Sequence, residues 1–326
     1  MRGNPYLLWE YAPGIRVESQ ATVSINRLGL RGREPVIPKP PGVLRILATG
    51  DSSIYGYNVD DDKVFLQVAV GALGEKVEGW NAAIPGYSTY QTINLLEMRA
   101  LALEPDLVLL GNLWSDNNFD SFVDVELLES YSRFERGWGG RIHRLLHPLA
   151  SYRILDYLLR VRRGARAEAR EVGWTVGDEN NGTGKRRVSV ADYARNLDHL
   201  VAMAHARGAE VMMLQLPNPH DLEDPGEVAP AWDLYRRVMR DTATRHGLPL
   251  LDAPRLFRES GLEADRLFSD KLHPSVEGHA LLGDALANAL SDWIEGESLE
   301  GPGSGEPRGD YIDPYAQSRP APPPSP

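Results

Sequence analysis

Val43 to Asn58 reads VLRILATGDSSIYGYN, an apolar run that breaks at Gly50-Asp51-Ser52. The pattern is that of a buried strand running into a turn and then a helix. Ser52 therefore stands at the carboxyl end of a strand. In an open parallel α/β sheet the loops converge at that edge and ligands bind there, close to the unpaired N–H groups of the following helix. A hydroxyl in this place is either a helix cap or a nucleophile.

A second stretch bears on that choice. Phe268-Ser269-Asp270-Lys271-Leu272-His273-Pro274 sets an acid three residues before a histidine, in a turn closed by another helix. Such a loop lets a carboxylate reach the imidazole Nδ1–H, which leaves Nε2 free to take a proton from a serine hydroxyl. The order along the chain is Ser, Asp, His.

With these residues the sequence resembles the SGNH or GDSL family of ester hydrolases. The first block of that family is Gly50-Asp51-Ser52, the last is Asp270, His273 and Pro274, and Asn81-Ala-Ala-Ile-Pro-Gly86 looks like the second. The resemblance spans roughly residues 40 to 295. Three blocks in order are far more specific than one. The third block departs. Where the family carries Gly-x-Asn-Asp after the strand Pro105 to Leu110, this chain has Leu113-Trp114-Ser115-Asp116, which keeps the Asp and loses the Gly and Asn.

The resemblance implies a three-layer α/β/α, flavodoxin-like fold with about five parallel strands in the order 2-1-3-4-5. It implies a serine ester hydrolase, an acylesterase or deacetylase acting on a small or carbohydrate-linked ester, with no cofactor and no metal. Ser52 is then the nucleophile, His273 the base and Asp270 the group that orients it, while the N–H groups of Ser52 and Gly86 hold the oxyanion. Ser115, Asn112 and Asn117 are the candidates for a third donor, and removing one such donor typically costs about a hundredfold or more in rate. A carbohydrate O-acyltransferase would use the same residues. The altered third block also admits a noncatalytic binding protein, and Thr49 to Ser53 admits a phosphate cradle for a flavin nucleotide, which would leave Asp270 and His273 idle.

The size of the chain, 326 residues, suits one large α/β domain with insertions or two modest ones. It has no cysteine, so disulfide frameworks and thiolate metal sites are excluded. A net charge of -11 argues against general binding to nucleic acid or anionic lipid. Oligomeric state is left open. No run near either end is long and apolar enough to cross a bilayer, and Met1 to Glu10 lacks the apolar core of a secretory signal. The chain as written is expected to be soluble and to stay where it is made. Bacterial relatives with a similar lead-in often carry a membrane segment upstream, and such a segment would make the protein extracytoplasmic or membrane-tethered.

Taken in order, residues 1–40 read as an extended arm or short hairpin ending in a proline-rich linker, with Arg31 or Arg33 as candidates to line a substrate entrance. The main domain, 41–296, alternates strands and helices: helix Val64 to Leu73, strand Val77 to Ala82, helix Tyr90 to Leu103 and strand Leu107 to Leu110. Residues 117–188 break that rhythm as an insertion, with a basic amphipathic helix from Ser151, His143 and His147 four apart, and a polar loop from Asp178 to Gly184. Without an acidic residue to complete a metal pattern, the two histidines read as surface or half-buried groups. Helix Ser189 to Ala206, strand Val211 to Leu216, helix Ala231 to His246 and strand Leu250 to Asp252 follow, and a closing helix runs from His279 to Ile294. Asn218 and His220 fall in the loop near the mouth of the site, and His279 reads as a structural or capping group. Residues 297–326 are polar and rich in Gly, Pro and Ser, and are expected to be disordered.

Overall fold

The computed structural model describes residues 2–4, 6–18, 21–120, 123–146, 149, 185–223 and 231–294. Five parallel strands make the central sheet: β1 Leu44–Gly50, β2 Val77–Asn81, β3 Leu107–Gly111, β4 Glu210–Gln215 and β5 Leu250–Asp252. Their spatial order is β5-β4-β3-β1-β2, the 2-1-3-4-5 arrangement the resemblance implies. In β3 every residue is buried, which is why Leu-Val-Leu-Leu-Gly shows no alternation: a central strand covered on both faces is apolar on both.

The flanking helices are α1 Phe65–Leu73, α2 Thr89–Met98, α3 Val190–His205, α4 Ala231–His246 and α5 Val276–Ile294. Helix α1 packs on α5, while α2, α3 and α4 pack in a row, giving the three-layer architecture. Between β3 and α3 the described residues hold a four-residue helix, Trp114–Asn117, a small ladder, Phe119–Asp120 against Lys185–Arg186, and two longer helices, Asp124–Arg136 and Trp138–Leu146. The expected helix from Ser151, the loop to Gly184, His147 and the tail from 297 lie outside the described residues, as does the side chain of His143.

Two helix boundaries differ from the periodic pattern. The expected helix Tyr90 to Leu103 ends at Met98, and a 3₁₀ turn, Ala100–Leu103, follows. Arg99 breaks it at φ -158, with its guanidinium bonded to Glu10 and to Leu28 O. The closing helix starts at Val276 rather than His279, so His279 lies inside its first turn. Its ring is buried and accepts a hydrogen bond from Phe65 N (3.3 Å), and burial above all pushes its pKa down to about 3.

The N-terminal residues form antiparallel pairs, Arg2–Asn4 with Leu8–Glu10 and Gly14–Glu18 with Ala21–Ile25, and they close on the main sheet through Arg31 N to Asn81 O (3.1 Å). Arg31 lines no entrance. Its buried guanidinium reaches Asp61 (2.8 Å) and the carbonyls of Tyr55 (2.7 Å), Gly56 (2.8 Å) and Val59, gripping the loop behind Ser52. Arg33 is the exposed partner of Glu78. Replacing Arg31 by Met strips Asp61 of its cation and three carbonyls of their charged donor, and we expect a loss of about 3 kcal/mol or more in the free energy of urea unfolding.

Candidate active site

Ser52 opens a short helix, Ser52–Tyr55, and the two readings of Gly-Asp-Ser divide between neighbouring residues. Asp51 is the cap, its Oδ1 accepting from Ser53 N (3.1 Å). The Ser52 hydroxyl is thereby released from capping and lies 2.8 Å from His273 Nε2. His273 Nδ1 lies 2.7 Å from Asp270 Oδ2, and Asp270 Oδ1 accepts the N–H groups of Leu272 and His273, each at 2.8 Å. One turn thus fixes the carboxylate by its own backbone and aims it at the ring three residues on. With Nδ1–H donated to Asp270, Nε2 presents its lone pair to the serine O–H. Partial burial works against ionisation of Asp270, but the bonds from the His273 ring and the two N–H groups outweigh it and hold its pKa to about 2. The Tyr57 ring packs 4.9 Å from the imidazole.

Gly86 lies in the turn after β2 at φ +83, a left-handed conformation that glycine adopts without strain. Ala82 N donates to Ala48 O (2.8 Å) and Ile84 N to Gly50 O (3.2 Å), which zips this turn to the end of β1. Among the described hydrogen bonds, neither Ser52 N–H nor Gly86 N–H has a protein acceptor. Asn81 braces the helix opened by Ser52. Its Nδ2 donates to Ile54 O (2.9 Å) and its Oδ1 accepts from Ala83 N (3.0 Å).

The divergent third block is organised by Asp51. Its Oδ2 accepts Trp114 N at 2.8 Å, with Leu113 N and Ser115 N at 3.4 Å, so the N–H groups of this turn point at a carboxylate rather than at the site. Burial pushes the Asp51 pKa up, and the four N–H donors recover part of that cost. Of the three candidate third donors, Asn112 is buried and spends its amide on Thr92 Oγ1 (3.0 Å), and the Asn117 amide oxygen is taken by Arg186. Ser115 is buried, and its hydroxyl makes no hydrogen bond among the described residues. Asp116 accepts Thr89 N (3.0 Å) and Thr89 Oγ1 (2.6 Å), anchoring the start of α2 just past Gly86, and burial drives its pKa up to about 8.

Asn218 and His220 take no part in this network. Asn218 is buried and caps the turn Pro219–Leu222, while His220 pairs with Glu223 (3.2 Å) at the surface. Sequence reasoning passed over Asn81 as a brace, Tyr57 and Trp9. Trp9 packs against Gly86 and donates its indole N–H to Pro85 O (3.3 Å), across 76 positions of chain, and such contacts leave no period to read. No group of residues able to hold a metal ion occurs among the described residues.

A model of the GDSL-like lipase/acylhydrolase family matches residues 120–281, which include Asp270 and His273 and begin after Ser52 and Gly86. No curated protein sequence matches the chain. Among solved structures, it is similar to a lipase/acylhydrolase from Enterococcus faecalis (18% identity, TM-score 0.47, covering 77% of this chain and 97% of the other). It is also similar to an acetylxylan esterase from Geobacillus stearothermophilus (16%, TM-score 0.47, 79% and 96%). A third is an α/β hydrolase from the metagenome of Lake Arreo (16%, TM-score 0.48, 75% and 94%).

Asp51→Asn tests the cross-loop anchor. An amide sets an N–H₂ against N–H donors, and roughly 2–3 kcal/mol of stability should be lost in urea unfolding, with ester turnover falling at least tenfold as the third turn shifts.

Proposed function

We propose that this chain, which a model of the GDSL-like lipase/acylhydrolase family matches over residues 120–281, hydrolyses ester bonds by a serine mechanism, acting on a small acyl ester or an ester carried by a carbohydrate. Ser52 Oγ attacks the carbonyl carbon as His273 Nε2 takes its proton. The N–H groups of Ser52 and Gly86, with the Ser115 hydroxyl as the candidate third donor, receive the charge that develops on the carbonyl oxygen. Collapse breaks the ester C–O bond, and the leaving alcohol departs with the proton from His273. Water then attacks the acyl-serine with His273 again as base, releasing the carboxylic acid and restoring Ser52. Asp270 holds the imidazole tautomer and stabilises the imidazolium throughout.

The observation that carries this reading is the continuous Ser52–His273–Asp270 chain of 2.8 and 2.7 Å. It joins residues 221 positions apart, and the Ser52 hydroxyl has no duty as a helix cap. A binding protein gains nothing from that alignment.

A fluorophosphonate probe tests it. Wild type should be labelled, Ser52→Ala should not, and His273→Ala should lower both labelling and ester hydrolysis by about 10³-fold or more. An unlabelled, inactive wild type overturns the reading in favour of ligand binding.

The pH profile is a second test. Asp270, with its folded pKa lowered to about 2, stays ionised across the working range, so its carboxyl should add no proton to the acid limb of kcat/KM. For the same reason the stability that Asp270 supplies is complete above its unfolded pKa and is lost only as pH falls through about 2. A two-proton limb, measured with p-nitrophenyl acetate from pH 4 to 8, would contradict this assignment.

A further inference from the structure

We infer that Trp9, in the N-terminal arm, is a positioning residue for the oxyanion: its indole N–H fixes and polarises the peptide group whose other end is the Gly86 N–H. The inference rests on the proposed role of Gly86. The Pro85 carbonyl and the Gly86 N–H belong to one planar, trans peptide unit, in which C=O and N–H point in opposite directions. Trp9 Nε1 donates to that carbonyl (3.3 Å). Pinning the oxygen sets the direction of the N–H, and a donor on the carbonyl strengthens the same amide as a donor to an oxyanion.

The arm is shaped for this contact. The Tyr87 hydroxyl donates to the Trp9 carbonyl, and the two rings meet edge to face at 5.6 Å, so Trp9 and the Gly86 turn hold each other from two sides. A Cβ on Gly86 would lie 3.0 Å from Trp9 Cζ2, so the indole covers the face that glycine leaves open. Leu8, next to Trp9, stands at φ +65, in the left-handed region, and a leucine there is strained. Asn4 Oδ1 accepts Tyr6 N (2.9 Å) and Leu7 N (3.1 Å), Asn94 Nδ2 donates to Tyr6 O (2.7 Å), and Leu7 is fully buried. The strain is thus held by anchors on either side.

Trp9→Phe keeps the packing and removes the donor, and Trp9→Ala removes both. With p-nitrophenyl acetate, Trp9→Phe should lower kcat about three- to tenfold with KM unchanged, and Trp9→Ala about tenfold or more, with fluorophosphonate labelling slowed in proportion. Trp9→Phe should keep the wild-type melting temperature within a few degrees. In protein labelled with ¹³C-proline and ¹⁵N-glycine, the Gly86 amide resonance should move upfield in Trp9→Phe without any ligand. An unmoved resonance, or a moved one with kcat unchanged, overturns the inference, as does a loss confined to KM or to stability. A wild type that is neither labelled nor active defeats the proposed function instead, and the resonance still judges the Trp9 bond.

Discussion

A carboxylate buried without a cation beside it is expensive, and the centre of this protein is built on one. Asp51 faces backbone N–H groups of its own turn and of the turn after β3. The arrangement resists rearrangement because every donor that left would strand both itself and a share of the charge. Two further buried groups repeat the device at the neighbouring turns: Asn81 bridges the end of β2 to the carbonyls behind Ser52, and Asp116 ties the third turn to the start of α2. Three loops from the carboxyl edge of the sheet are thus joined pairwise by short polar side chains. The loop that carries the Ser52 side chain is thus held by its neighbours.

Buried arginines carry the longer spans. Arg31, Arg45 and Arg187 are each almost fully buried, and each meets a carboxylate: Asp61, Glu78 and Asp124. Arg31 and Arg45 add backbone carbonyls from distant segments, among them Tyr55, Leu103 and Val36. A guanidinium suits this work because its donors are spread in a fixed plane and it cannot be neutralised by losing a proton. Whatever such groups cost in desolvation, they fix which loop lies against which.

The strand and helix sequence was legible because burial imposes a period and glycine or proline interrupts it. The run from Val43 to Gly50 and the unbroken Leu107 to Leu110 gave two strands outright, and Asp270 with His273 was readable because their partnership spans three residues of a single turn. What escaped shares one cause. The break at Arg99 comes from an ion pair with Glu10 in the arm, and the choice among Asn112, Ser115 and Asn117 turns on partners, Thr92 and Arg186, that lie far away in the chain. Trp9 belongs to the same class. Hydrogen bonds between remote segments obey geometry in space and leave no mark on local spacing.

Helix α5 approaches α1 so closely that a methyl group on Gly283 would meet the Phe65 carbonyl at 2.8 Å, and His279 accepts the N–H of that same Phe65. The loop bearing Asp270 and His273 enters directly into α5, so the carboxylate and the imidazole are carried with it as one piece. During synthesis, the strand that leads to Ser52 leaves the ribosome more than two hundred residues ahead of His273. Ser52 is therefore without its histidine partner for most of translation, and the two meet only once the last helix seats against the first.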